Sequence, residues 1–194
     1  NGTVIGILMD NAGDIILHEA LAPTPTIDAQ NYEGLVDYSL PLLARNGITS
    51  ACEARTYWKR NYIDIWKQVK DDGALTCRMI LTPWVYPEDL DTEQIPILES
   101  FYDNDDPYLR INQLKVYSDG ITINATAALH EDYDFNWGLP FDQGLNYIEV
   151  SRLSNLITTL EPSGFDFHIH AIGDRGVTEG LDAIEFARNQ NGDI

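Results

Sequence analysis

A chain of 194 residues is long enough for one well-buried domain and short for two. With 44% hydrophobic residues and no apolar run of membrane-spanning length, it reads as soluble and globular, the compartment, cytoplasmic or periplasmic, being left open. A formal charge of −19 argues against nucleic acid and anionic membrane surfaces as partners.

The chain starts at Asn1 without methionine or a signal-like segment, which suggests a piece of something longer. Val4 to Leu8 and Ile15 to Leu17, separated by Asp10, Asn11, Gly13 and Asp14, read as two short strands or an irregular arm spanning residues 1–27. Pro23-Thr24-Pro25 forces an extended segment. A helix is expected from Asp28 to about Asn46, with Leu35, Leu42 and Leu43 among its core contacts and Gly47 at its end. Ile48 to Ala51 reads as a short buried strand, followed by a helix from Tyr62 to Lys70.

Cys77 to Leu81 is the second expected strand, closed by Thr82-Pro83, and Asp91 to Tyr102 the next helix. Asn112 to Tyr117 is a third strand, and Asp119 to Asn146 a long loop rich in glycine, asparagine and aromatics. A helix over Ile148 to Leu160 leads into a fourth strand, Phe165 to His170. The last helix, Arg175 to Asn189, places Val177, Leu181, Ile184 and Ala187 on one face. Strand alternating with helix predicts an α/β fold of parallel strands with outer helices. In such a sheet the only two cysteines, Cys52 and Cys77, lie at opposite strand ends about 15 Å apart, too far for a disulfide. They are read as free thiols.

Two blocks carry chemistry. In Phe167-His168-Ile169-His170-Ala171-Ile172-Gly173-Asp174-Arg175, alternation along a strand projects His168 and His170 to one side, where imidazoles can meet a metal. In Leu114-Lys115-Val116-Tyr117-Ser118-Asp119-Gly120, Lys115 shares a face with Tyr117 and Asp119. A lysine within a strand otherwise fit for burial is costly unless its charge is removed or paired. Asp119 is a candidate partner for it. Asp174 is suited to cap the last helix, and Arg175 to anchor a substrate carboxylate or hold a loop. His18 and His130 lack a motif and read as surface residues. Glu53 is either a site-lining acid or a solvated, ion-paired one.

These blocks, with Leu181-Asp182-Ala183-Ile184-Glu185 and Thr126-Ala127-Ala128-Leu129, resemble the amidohydrolase superfamily. The branch resembled is that of predicted metal-dependent hydrolases that includes N-substituted formamide deformylases. The resemblance implies a (β/α)8 TIM barrel, of which residues 28–194 would supply a central part. It also implies that Lys115, carboxylated by carbon dioxide, and His170 ligate a divalent metal, expected to be zinc. His168, Asp119, Asp174 and Arg175 would support those ligands or bind substrate. The implied reaction is hydrolysis of an amide or related C–N bond of a small molecule by metal-activated water. The run Ile121 to Ala125 departs from the family's glycine-serine-arginine-like loop, which puts the substrate class in question.

A complete barrel needs about 250 residues and eight strands, and only four are expected. The family's first-strand His-x-His, a later histidine and the final aspartate are not found. The chain alone is therefore expected to be inactive and to self-associate through its open face or edge, or else to fold its N-terminal arm across it. A noncatalytic α/β binding or assembly domain retaining the motifs is the alternative. A metal phosphoesterase barrel is a weaker one, since it leaves the Lys115 block without a role.

Overall fold

Among the described residues, five strands of this chain pair in parallel, in one ladder of three and one of two. The first is β1 (Ser50–Thr56), paired with β2 (Arg78–Pro83) through Ser50 opposite Arg78 and Glu53 opposite Leu81. β2 pairs at its start with β3 (Leu109–Arg110). β4 (Gln113–Tyr117) pairs with β5 (Asp166–His170), setting Lys115 opposite His168 and Tyr117 opposite His170. Beyond β2, Val85 N–H donates to Lys115 O at 2.8 Å, and Trp84 forms a parallel bridge with Lys115. That bridge sets the two-stranded ladder beside β2, in the expected order. Between β3 and β4 the chain turns aside where Ile111 pairs with Asp103 in an antiparallel bridge. This is a computed structural model, and it describes residues 6, 8–134 and 138–192. Among the described residues no helix is long and apolar enough to cross a membrane.

The N-terminal segment differs from the expected strands or irregular arm. Val4, Ile5 and Ile7 lie outside the described residues, and Asn11–Ala20 is a helix, α1. Asp14 and His18, one turn apart, meet Arg55 and Arg60, so polar contacts on one face set the conformation. Thr24 caps the next helix, α2 (Pro25–Glu33), its hydroxyl accepting from Ile27 N–H at 3.2 Å, with Pro25 in the first helical position.

That helix continues as a wide π turn, Gly34–Ser39, into α3 (Leu40–Arg45). Pro41 has no N–H to give the turn before it, and Leu40 N–H instead reaches Leu35 O, five residues back. The widened turn rotates α3 relative to α2. Leu40 becomes fully buried, while Leu42, expected in the core, is 53% exposed.

Helix α4 (Tyr62–Asp71) lays Ile63, Trp66 and Val69 on Met79 and Leu81, together with Leu40. The remaining helices are α5 (Asp91–Phe101), α6 (Val150–Leu160) and α7 (Asp174–Asn191). Leu98, Leu153, Leu156, Ala183 and Ala187 from these helices share one apolar cluster with Leu114 and Val116. All these contacts use one sheet face. By alternation the other face carries Cys52, Ile80, Lys115, Tyr117, His168 and His170. A groove of about 490 Å³ runs over Cys52, Ile80 and Arg110. Both cysteines are free; Cys52 lies within β1 because that strand continues to Thr56.

Helix α7 buries small residues, Gly176, Gly180, Ala183 and Ala187. Val177 and Leu181, expected on the core face, are 43% and 61% exposed. Small residues let α7 pack closely on α6 and on Ile169 of β5, where a Cβ on Gly180 would already lie 3.6 Å from the isoleucine. The preceding turn is as tight: a Cβ on Gly173 would lie 1.8 Å from Ala128 O, whereas one on Gly34 meets nothing within 4 Å. Gly173→Ala should therefore lower stability by about 1–3 kcal/mol in urea unfolding, while Gly34→Ala leaves it unchanged or raised by about 0.4–1 kcal/mol.

Candidate functional site

The C-terminal ends of β4 and β5 bring Lys115, Tyr117, His168 and His170 to one side of the sheet. Lys115 is 5% exposed, and among the described residues it has no carboxylate partner. Its ammonium lies 4.9 Å from the Tyr117 ring centre. Burial pushes its pKa down, and the Arg55 guanidinium pushes it further, with the Cys52 thiol acting weakly the other way. Burial likewise lowers His168, aided by Lys115 and His170. The His170 ring stacks on Tyr117 at 4.3 Å, and its Nε2 lies 2.9 Å from Gly120 O. A carbonyl only accepts, so Nε2 carries the hydrogen and Nδ1 of the neutral ring keeps its lone pair.

Asp119 does not partner Lys115. Its fully buried carboxylate accepts Ala128 N–H at 2.9 Å, Ile172 N–H at 3.0 Å and Gly173 N–H at 2.7 Å, with His170 Nε2 at 4.0 Å. The reason is the break in alternation after Tyr117, where Ser118 binds His170 O through both its N–H and its hydroxyl. Asp119 is thereby turned toward the loop after β5. A Cβ on Gly176 would lie 2.6 Å from Asp119 Oδ2, so the glycine is required there.

Asp174 is not the helix cap. Gly173 occupies that position, and the exposed Asp174 carboxylate takes Arg175 N–H at 2.8 Å and His130 N–H at 3.0 Å, which hold it below its usual carboxylate range. Arg175 holds the long loop: it donates to Leu129 O at 3.0 Å, Gln143 O at 3.0 Å, Asn146 and Glu179. His130 is exposed, as expected.

Arg55 escaped the sequence reading. A bulge between Glu53 and Thr56 turns it to the end of the strands, where its guanidinium sits 3.7 Å over Trp84 and 4.7 Å from Tyr117 and pairs with Asp14 at 2.5 Å. The strand-forming Thr56-Tyr57 after it was the available signal that β1 continues. His18 also departs from its surface reading. It packs among Tyr57, Trp84 and Tyr86, accepts from Arg60 at 3.2 Å, and is lowered to about 4 by burial and the nearby cations. Helix α1 thus lies over the C-terminal ends of the strands. A cavity of about 50 Å³ remains between Asp14, Arg55, Tyr117, Tyr147 and His170.

Among the described residues no three histidine, cysteine, aspartate or glutamate side chains form a metal-holding group. Lys115, His168 and His170 share a sheet face, on adjacent strands.

The whole chain, residues 1–194, matches the model of the amidohydrolase family. The chain belongs to this family. It is 28% identical over 200 residues to YtcJ of Bacillus subtilis (strain 168), which carries the name of an amidohydrolase, covering 99% of the chain and 34% of that protein. It is 25% identical over 209 residues to Protein LONG AFTER FAR-RED 3 of Arabidopsis thaliana, covering 100% of the chain and 33% of that protein. The chain spans about a third of the length of these relatives. Two solved structures share the fold at 22% identity, each described as an uncharacterized metal-dependent hydrolase. The one from Pyrococcus furiosus has a TM-score of 0.68 over 91% of the chain and 34% of its own. The other, from Pyrococcus horikoshii OT3, scores 0.66 over 90% and 33%.

Glu53 is half-buried, and among the described residues it has no ion-pair partner. It lies on the helix side of β1, accepts the Trp66 indole N–H, and is pushed up to about 7 by burial. The ordinary value is 4.5, so between pH 4.5 and 7 the folded chain keeps a proton that the unfolded chain has lost. The Glu53 contribution is then complete below pH 4.5 and decreases as pH rises, with about 3 kcal/mol lost above pH 7. Urea unfolding across this range should show that decline, and Glu53→Gln should remove it.

Proposed function

We propose that this segment is the central part of a (β/α)8 barrel of a metal-dependent amidohydrolase, acting on an amide or related C–N bond of a small molecule. N-substituted formamides are the substrates to test first. The observation that carries the reading is Lys115: a buried lysine without a carboxylate partner, on one sheet face with His168 and His170, in a chain whose full length matches the family. In this reading Lys115, as its carbamate, and His170 hold a divalent cation, with zinc proposed, and His168 supports them. Bound there, the cation supplies polarisation of a carbonyl and a lowered pKa for water.

The chain's own residues prepare these ligands. Burial and Arg55 favour the neutral amine that carboxylation by carbon dioxide requires, and Arg55 then faces the anion that forms. The Gly120 carbonyl fixes the His170 ring and leaves Nδ1 as its donor atom. Tyr117 stacks on that ring and limits its rotation.

A second reading has one observation in its favour. Asp119, Asp174 and Arg175 spend their bonding capacity inside the fold, as they would in a binding or assembly domain that keeps the motif for packing alone. Activity separates the two readings. In the intact gene product, Lys115→Met and His170→Ala should each lower hydrolysis of N-substituted formamides by at least ~100-fold with folding retained. Unchanged turnover in both variants would overturn the metal reading. The 194-residue chain alone should sediment as a self-associated species, because its sheet face and strand edges remain unfilled.

A further inference from the structure

A second cavity, of about 280 Å³, opens on the helix side of the sheet, between β1, the π turn and α4. Its lining includes Asn31, Ser39, Glu53, Tyr62 and Trp66. The π turn helps make the space: Gly34 leaves its side of the cavity open, with no atom within 4 Å of where a Cβ would stand. Glu53 is the one acidic group of the lining, and Tyr62 the only other titratable one. No charged side chain of α2, the π turn, α4 or β2 bears on it; burial and the Trp66 indole are the two influences. Partial burial of a carboxylate without a counter-charge disfavours its ionised form, and a cation entering the cavity would relieve that cost.

We propose that this cavity binds a small primary ammonium ion, with Glu53 as its counter-charge and the Tyr62 and Trp66 rings as its walls. The carboxylate takes the charge, the aromatic rings favour a cation beside them, and Asn31 and Ser39 offer acceptors for remaining N–H groups. The volume is just below the roughly 300–1,000 Å³ of pockets that bury drug-sized molecules, which selects a short alkylamine. Trp66 already donates to one carboxylate oxygen, so the ligand takes the other. Lys115 and His170 stand on the opposite sheet face, so this site is independent of the metal reading and can fail or stand without it.

The test is a titration of the protein with n-propylammonium and, separately, 1-propanol, following the Trp66 indole N–H resonance in 0.15 M salt. At pH 8.5 the ammonium should shift that resonance saturably with one-to-one stoichiometry, and the alcohol should not. At pH 5.5 the ionised fraction of a group with a pKa of about 7 falls roughly 30-fold, and the affinity should fall with it. Glu53→Gln should weaken binding by at least tenfold while the fold, followed by circular dichroism, persists. Equal binding of the alcohol, an affinity independent of pH, or no saturable shift with the ammonium would each overturn the proposal, and these arms use the unmodified protein.

Discussion

One buried carboxylate ties together the parts of this chain that carry its chemistry. Asp119 gathers three backbone N–H groups, two from the turn after β5 and one from the long loop after β4. The Ala128 and Gly173 donors would otherwise be buried polar groups lacking a partner, a cost of about 1–3 kcal/mol apiece. The tight glycines at 173 and 176 are a consequence, since both sit where a side chain would strike the loop or the carboxylate itself. His170 ends the strand that this turn closes, so the orientation of its ring depends on the same interaction.

Charge near the strand ends is distributed unevenly for so acidic a protein. Arg55, Arg60 and Lys115 gather where the aromatic rings of Tyr57, Trp84 and Tyr117 lie. Asp14 of α1 answers Arg55, and among the described residues nothing acidic answers Lys115. Burial and Arg55 lower the pKa of a lysine in that setting, and a modification that makes it anionic would turn repulsion by Arg55 into attraction.

Much of this was legible in the sequence. Short apolar runs located the strands, the first of them displaced from Ile48–Ala51 to Ser50–Thr56, and their alternation with helices gave the parallel order; the same-face placement of His168 and His170 came from strand geometry alone. What was not legible depended on events between elements. Leu42 left the core because a π turn, forced by Pro41, rotated the helix after it. Helix α1 was missed because Ile15-Ile16-Leu17 has no helical period, and its conformation rests on Asp14 and His18 meeting arginines far along the chain. The role of Asp119 was misassigned because alternation was extended past Tyr117, where Ser118 breaks it. Glu53 could not be placed, since only the packing of Trp66 against β1 withdraws it from water.

The central claim is that Lys115 is built to become an anionic metal ligand. The most direct measurement is a carbon NMR spectrum of the intact gene product, loaded with a divalent metal in 13C-labelled bicarbonate. A carbamate resonance that appears in the unmodified protein and vanishes in Lys115→Arg, with loss of bound metal, is the predicted result. Full metal occupancy in Lys115→Arg, or no carbamate signal in a metal-loaded and active protein, would contradict it.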